Sequence, residues 1–275
     1  MPQKRVSSDD VKSAVRRHYA QAVTTAGSCC GGSSCGTAEP GGSLAKLAGY
    51  TDGDLQALPT VSVESSLGCG NPLAFSEVKA GQTVLDIGSG AGIDCLLAAE
   101  RVGPEGKVIG LDMTPEMLAK AEEAAARAGA DNVEFRRGEA EQMPLEDVSV
   151  DWIVSNCVIN LSPEKPRVFS EIARVLRSGG EIAISDIVLA DDLPDSVVED
   201  VRYWTGCVSG AIRESDYLAG LRRAGLEQVR VTNRFVYDAA TIDSLISGCV
   251  DVPAEEATGL LAGKLASVLI RGKKN

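Results

Sequence analysis

Two groups of residues in this chain have the types and spacing to do chemistry. The first is the run Leu85-Asp86-Ile87-Gly88-Ser89-Gly90-Ala91-Gly92, an apolar β-type stretch that ends in alternating glycines. Glycine lets the backbone approach a ligand closely, and a helix that starts there offers free N–H groups. Asp112 ends the next apolar run about 24 residues later, where a carboxylate can accept hydrogen bonds from ribose hydroxyls. The second group is cysteine, of which the chain has eight. Cys69 lies in Gly68-Cys69-Gly70-Asn71-Pro72, Cys157 in Ser155-Asn156-Cys157-Val158-Ile159-Asn160-Leu161, and Cys207 in Trp204-Thr205-Gly206-Cys207. Cys29, Cys30 and Cys35 share a Gly/Ser-rich stretch over 28–42. Several of these thiols sit in glycine-flanked loops and not in apolar runs, so they can reach outward. Thiolates are soft ligands and choose soft metals or metalloids. Cys95, inside an apolar helical run, reads as a small core residue, and Cys249 as structural or incidental.

The elements that must position these residues follow from periodicity. Residues 8–24 read as a helix with Val11, Val15 and Tyr19 on one face. From Thr83 the chain alternates: β-type runs at 83–90 (ending in glycines), 107–112, 132–138, 150–156 and 181–189, helices at 93–103, 115–129 and 163–177. Pro115 stands at a preferred first helical turn, and Gly179-Gly180 is read as closing the third of these helices. Residues 194–224 look mostly helical, and 226–238 and 265–273 read as late strands. Strand–helix alternation gives parallel βαβ units, and the continuous apolar runs suit a sheet covered on both faces. The predicted fold is therefore α/β, with a mostly parallel seven-stranded sheet and helices on both faces. Residues 1–72 form an N-terminal helix and cysteine-rich segment, 73–190 a cofactor-binding core, and 191–275 a lid-like region completing the sheet.

Composition narrows the function. The chain has 275 residues, 44% hydrophobic and 24% charged, which is an ordinary globular balance. A net charge of −12 argues against nucleic-acid backbone as a partner. No apolar run approaches the roughly 20 residues of a membrane helix, and the N-terminus lacks a signal-peptide core, so a cytoplasmic protein is expected. The single histidine, His18, excludes histidine-rich metal sites and disfavours a Ser-His-Asp hydrolase. It reads as a solvated helix residue, which leaves no obvious general base. An acceptor with its own lone pair would need none. No Cys-x-x-Cys pair marks a zinc site. Asp86, beside the glycine loop, would repel a pyrophosphate but suit a cationic amine, which disfavours the nicotinamide dinucleotides.

The glycine loop and strand order resemble those of the class I S-adenosylmethionine-dependent methyltransferases, with their Rossmann-like fold. That resemblance implies that Asp86 lies near the methionine moiety, that Gly88, Ser89 and Gly90 approach the cofactor, and that Asp112 binds ribose. Met113 and Asn156 complete the set, and Glu139-Ala140 would face adenine, where the family usually has Asp. The segments GCGNP and SNCVINL, with Trp204-Thr205-Gly206-Cys207 and the cysteine-rich loop, are similar to those of arsenite S-adenosylmethionine methyltransferases, over roughly residues 10–250.

That closer resemblance implies trivalent arsenic held by Cys157 and Cys207, with Cys69 as third ligand and no permanently bound metal. One N-terminal cysteine joins the redox set: Cys35 is preferred, then Cys30, with Cys29 still open. Arsenite or its thiol conjugates are the implied substrate. The arsenic lone pair would attack the sulfonium methyl, and thiols would return arsenic to the trivalent state by forming a disulfide. Thioredoxin or glutathione would reopen it. A monomer is expected. Two other classes stay open: a methyltransferase of a small organic acceptor, which leaves the cysteines unexplained, and a thiol protein that sequesters metalloids, which leaves the glycine loop unexplained.

Overall fold

The computed structural model describes residues 7–24, 70–73, 76–191, 208–242 and 254–275. Helix α1 runs over Ser8–Thr24, with Val11 and Val15 buried on one face as the spacing predicted. The alternating region then gives β1 (Thr83–Ile87), α2 (Ile93–Val102), β2 (Lys107–Asp112), α3 (Pro115–Ala128) and β3 (Val133–Arg137). After them come β4 (Val150–Asn156), a 3₁₀ turn at Ile159–Leu161, α4 (Lys165–Val175) and β5 (Leu176–Leu189). The later elements are β6 (Ile212–Arg213), α5 (Glu214–Arg223), β7 (Leu226–Val236), α6 (Ala254–Leu261) and β8 (Leu265–Lys274).

These strands form one sheet in the order β3-β2-β1-β4-β5-β8-β7, with β6 paired to β5. The first five strands and β6 are parallel. Strand β8 lies antiparallel between β5 and β7, so the sheet is mixed. The predicted seven strands are present, and β6 adds an eighth that is only two residues long. One expectation is corrected. Gly179-Gly180 does not close α4, which ends at Val175 and passes directly into β5. The glycines lie in a bulge of that strand, where the register with β4 jumps from Val150↔Leu176 to Trp152↔Glu181. Gly179 has φ of 79°, the left-handed turn that a bulge requires and that glycine takes without penalty.

Alternation along the strands sorts side chains to two cores. Leu85, Ile87, Ile153, Ile182 and Ile184 face Val168, Phe169 and Ile172 of α4 and Tyr217 and Leu221 of α5. Val84, Trp152, Val154 and Ala183 point the other way, onto Cys95, Leu97, Ala98 and Val102 of α2. Both faces are apolar because both are covered, which is why the strands read as continuous hydrophobic runs. The strand order reverses direction between β1 and β4. In open α/β sheets the crevice outside the strand ends at such a point is where ligands bind.

The corner that follows β4 is tied to β5 by a buried polar network. Asp186, fully buried, accepts hydrogen bonds from the Asn160 N–H at 3.1 Å, its neighbour Ile187 N–H at 3.0 Å and the Tyr217 hydroxyl at 3.1 Å. Asn160 Nδ2 donates to the Ile187 carbonyl at 2.5 Å, and Lys165 Nζ to the Asn160 and Ser162 carbonyls. Burial raises the Asp186 carboxyl to about 7, against the pull of these donors and of Lys165. The folded state therefore holds a proton that the unfolded chain releases near pH 4. Stability should fall as pH rises from about 4 to about 7. Asp186→Asn should flatten that slope, read from urea midpoints across the window; an unchanged slope would show that Asp186 is not its source.

Candidate active site

The loop after β1 begins at Gly88, whose N–H donates to the Leu111 carbonyl at 2.7 Å, as does that of Ser89 at 3.0 Å. Gly88 has φ of 74°, and a side chain there would run into Val158. Only glycine allows the residue after Cys157 to pack directly on the loop. Asp112, at the end of β2, accepts from the Gly90 N–H at 3.0 Å and the Thr114 N–H at 2.8 Å. One carboxylate thus fixes the glycine loop and the start of α3. Burial raises the Asp112 carboxyl, and these backbone donors only partly oppose the shift.

A pocket opens between this loop and the end of β4. Of the nine residues the sequence assigns to a cofactor, eight line it: Gly88, Ser89 and Gly90; Asp112 and Met113; Glu139 and Ala140; and Asn156. Asp86 is not on the wall. It is 2% exposed and lies beneath the loop, 3.4 Å from Cys95 Sγ, which donates to it. Burial, then the charges of Asp94 and Asp112, hold the Asp86 carboxyl well above its ordinary range. Burial likewise pushes the Cys95 thiol up, with Asp86 adding to it. Cys95 is free and fully buried, the core residue expected.

The sequence reading missed several wall residues. Asp94, in the first turn of α2, adds a carboxylate on the wall itself. Its signal was its place two residues past Gly92, at the start of the helix that the glycine loop opens. Lys12, Val15 and Tyr19 bring α1 over the same pocket. Their face was legible as apolar, but nothing in the sequence said what it covers. Lys12 Nζ lies 2.8 Å from Glu139, 3.3 Å from Glu141 and 3.8 Å from Glu164, and Arg16 lies 3.3 Å from Glu139. Burial lowers the Lys12 pKa, but Glu139 and Glu141 outweigh it and the net shift is upward. The Glu139 carboxylate is therefore engaged by α1. His18 is half-buried and packs edge-on against Tyr19, with its pKa lowered by burial. It is not on the pocket wall.

Cys157 also lines the pocket. Its φ is 58°, an uncommon conformation for a residue with a side chain. Its N–H donates to the Ser185 carbonyl at 2.8 Å, and it is 3% exposed. Cys157 is disulfide-bonded. It packs in a cluster with Ile187, Val208, Ala211 and Tyr237. Val208 follows Cys207 in the chain and Gly70 follows Cys69, and Gly70 is hydrogen-bonded to Asn156 beside Cys157. Cys69, Cys207, Cys29, Cys30, Cys35 and Cys249 themselves lie outside the described residues. Among the described residues no group of three or more His, Cys, Asp or Glu could hold a metal ion.

The pocket combines acidic and apolar surface. Carboxylates Asp94 and Asp112 line it, with Asp86 behind them, and Val15, Leu111, Met117 and Ala140 give apolar surface. Among the described residues the buried Ser89 Oγ has no hydrogen-bond partner, a polar atom left for a ligand. Replacing Lys12 and Arg16 together with Met should detach α1 from Glu139, Glu141 and Glu164. Hydrogen exchange at the amides of Val11–Tyr19 should then quicken by about tenfold or more. Unchanged protection would mean that packing of Val11 and Val15 alone holds the helix.

Comparison with known proteins adds to this geometry. A family model described as a methyltransferase domain matches residues 78–231. An arsenite methyltransferase of Halobacterium salinarum is 47% identical over 231 residues, covering 81% of this chain and 59% of that protein. Another, from Aquipseudomonas alcaligenes, is 42% identical over 183 residues, covering 64% of this chain and 52% of that protein. The chain thus spans between half and three fifths of the length of these curated relatives. Among solved structures, an arsenic (III) S-adenosylmethionine methyltransferase from Chlamydomonas reinhardtii is 33% identical, with a TM-score of 0.62, covering 85% of this chain and 74% of that one.

Proposed function

The chain belongs to the methyltransferase-domain family, in its arsenite S-adenosylmethionine methyltransferase branch, and we propose that it transfers methyl groups from S-adenosylmethionine to thiolate-bound trivalent arsenic. The single observation that carries this reading is the placement of Cys157. A cysteine in a left-handed corner shares one pocket with the glycine loop, and Val158 seats that corner on Gly88. A soft ligand there stands beside the bound donor.

When bound, S-adenosylmethionine supplies an electrophilic methyl group on a positively charged sulfur. Gly88, Ser89 and Gly90 let it lie against the backbone, and Ser89 Oγ gives it a hydrogen bond. Asp94, with Asp86 behind, favours the cationic methionine end. Asp112 accepts from ribose hydroxyls with the lone pairs not taken by Gly90 and Thr114. Lys12, Val15 and Tyr19 exclude water from above, and Ala140 and Met113 flank the aromatic end. Arsenic attacks through its lone pair, so no proton has to leave the acceptor. That agrees with a pocket whose wall carries no histidine. Catalysis then rests on holding arsenic about 3–3.5 Å from the methyl carbon, in line with the leaving sulfur.

Cys157 is the central arsenic ligand in this reading, with Cys207 and Cys69 completing the set. Two features support the ligand set: Val208 belongs to the same buried apolar cluster as Cys157, and Gly70 is anchored to Asn156. The disulfide at Cys157 supports the redox half of the cycle, in which two thiols give up two electrons and return arsenic to the trivalent state. Cys35 or Cys30 is the exchange partner, and thioredoxin or glutathione reopens the disulfide. An organic acceptor would not need a cysteine at this corner.

The reading is tested by methyl transfer from labelled S-adenosylmethionine to arsenite in wild type and in Cys157→Ser. Arsenite-dependent labelled methylarsenicals are expected from wild type. The variant should lose about a hundredfold or more in rate while binding S-adenosylhomocysteine as before, since a lost ligand costs metal affinity, not the glycine loop. Full activity in the variant would remove Cys157 from the ligand set.

A further inference from the structure

Asp86 is buried beneath the glycine loop, off the pocket wall, while Asp94 and Asp112 stand on it. It pairs with Gly110 of β2 and Val154 of β4, and shares the α2 face of the sheet with Val84. Among the described residues, α2 brings Asp94 and Cys95 to it, and β2 brings Asp112. Strand β4 turns Trp152, Val154 and Asn156 to that face, and Leu73 covers it, none of which titrates. The donor to Asp86 is the Cys95 thiol, 3.4 Å away. No lysine, arginine or histidine among the described residues is bonded to Asp86 or Asp112.

A dry carboxyl among like charges favours its neutral acid form. Burial, then the Asp94 charge, holds the Asp86 carboxyl up, and the Cys95 thiol opposes this only in part. A cation seated on the loop reverses the balance, because it favours the carboxylate. The loop is built to receive such a ligand: Ser89 Oγ, buried on the pocket wall, has no partner among the described residues. Methyl transfer changes that cation. The donor enters as a sulfonium and leaves as a neutral thioether, with its ammonium, ribose and adenine unaltered.

We propose that the pocket exchanges a proton for the donor's positive charge: Asp86 releases the proton it holds beneath the loop when a sulfonium is seated, and regains one once only the thioether is left. This rests on the donor reading above, not on the arsenic ligands. On binding, the acid O–H bond breaks, the proton goes to solvent and the electron pair stays on the carboxylate behind the sulfonium. The reverse follows methyl transfer. Asp86 is thus a specificity-determining residue that separates donor from spent donor by charge. Binding that releases a proton strengthens as pH rises, so the preference for donor over product should climb through the range in which the free pocket is protonated.

The test is calorimetric titration of the full reduced chain with S-adenosylmethionine, S-adenosylhomocysteine and adenosine. Each is run in two buffers of different ionisation enthalpy, which counts the protons released, and across pH. Wild type should release more protons to S-adenosylmethionine than to S-adenosylhomocysteine. The ratio of the two affinities should rise with pH, by about tenfold per unit where the difference is one whole proton. Adenosine reports what Asp112 releases to the ribose, a part common to all three ligands. Asp86→Asn, neutral at every pH, should lose the excess release and make the ratio independent of pH. Cys95→Ala removes the donor that favours the carboxylate and lies off the pocket wall, so it should move the midpoint of the ratio to higher pH. Equal release to both ligands in wild type refutes the exchange and leaves the donor pocket in place. So does an excess that survives in Asp86→Asn, or a midpoint that Cys95→Ala leaves unmoved. If none of the three ligands binds, the donor reading itself falls.

Discussion

The contact on which the site depends is Val158 packed against Gly88. It presses the loop after β1 and the corner after β4 together at the point where the strand order reverses. The proposed methyl transfer cannot cross a gap and would need donor and acceptor within van der Waals reach. The sheet alone brings two strand ends into register, Ile87 beside Ser155. The remaining distance is closed by a missing side chain at Gly88 and by the left-handed turn at Cys157. That turn is not free, and the chain around it is correspondingly well tied. The Cys157 N–H is bonded to Ser185, and the stretch beyond it is bonded to Asp186 and Ile187.

Charge gives the pocket its polarity. Asp86, Asp94 and Asp112 converge on one end, and burial disfavours ionisation of Asp86 and Asp112. A cationic ligand relieves that cost, whereas a pyrophosphate would add to it. The glycine loop therefore carries the backbone geometry of nucleotide folds with the electrostatics of a sulfonium or ammonium site. Helix α1 also lines the pocket, and its Lys12 and Arg16 pair with the carboxylates of Glu139 and Glu141. Helix and loop are tens of residues apart in the chain, and the pocket has a complete wall only when both are present.

Much of this was legible in the sequence because it rests on local chemistry. Apolar runs, Pro115 and the glycine loop placed the alternating elements, and eight of nine assigned cofactor residues reached the wall. What was not legible depends on distant pairing. Gly179-Gly180 looked like a helix stop because a glycine pair usually is one. Only the register of β4 on β5 shows it to be a bulge. Asp86 has the right residue type for a cation site, but the parity of β1 turns it beneath the loop, while Asp94, in the first turn of α2, lines the pocket. The role of α1 could not be read, since a helical apolar face does not name its partner. His18 was read as solvated and is half-buried against Tyr19 for the same reason. The glycine in GCGNP was read through its cysteine. Its own reason is steric, the side chain of Ser185 more than a hundred residues away in sequence.

The most direct test of the central claim is the position of arsenic itself. Crystals of the reduced chain grown with arsenite and S-adenosylhomocysteine would be measured at the arsenic absorption edge. The account predicts a single anomalous peak bonded to Cys157 Sγ, at the pocket end formed by Gly88 and Val158 and facing the sulfur of the bound nucleoside. A peak remote from Cys157, with S-adenosylhomocysteine seated on the glycine loop, would contradict it.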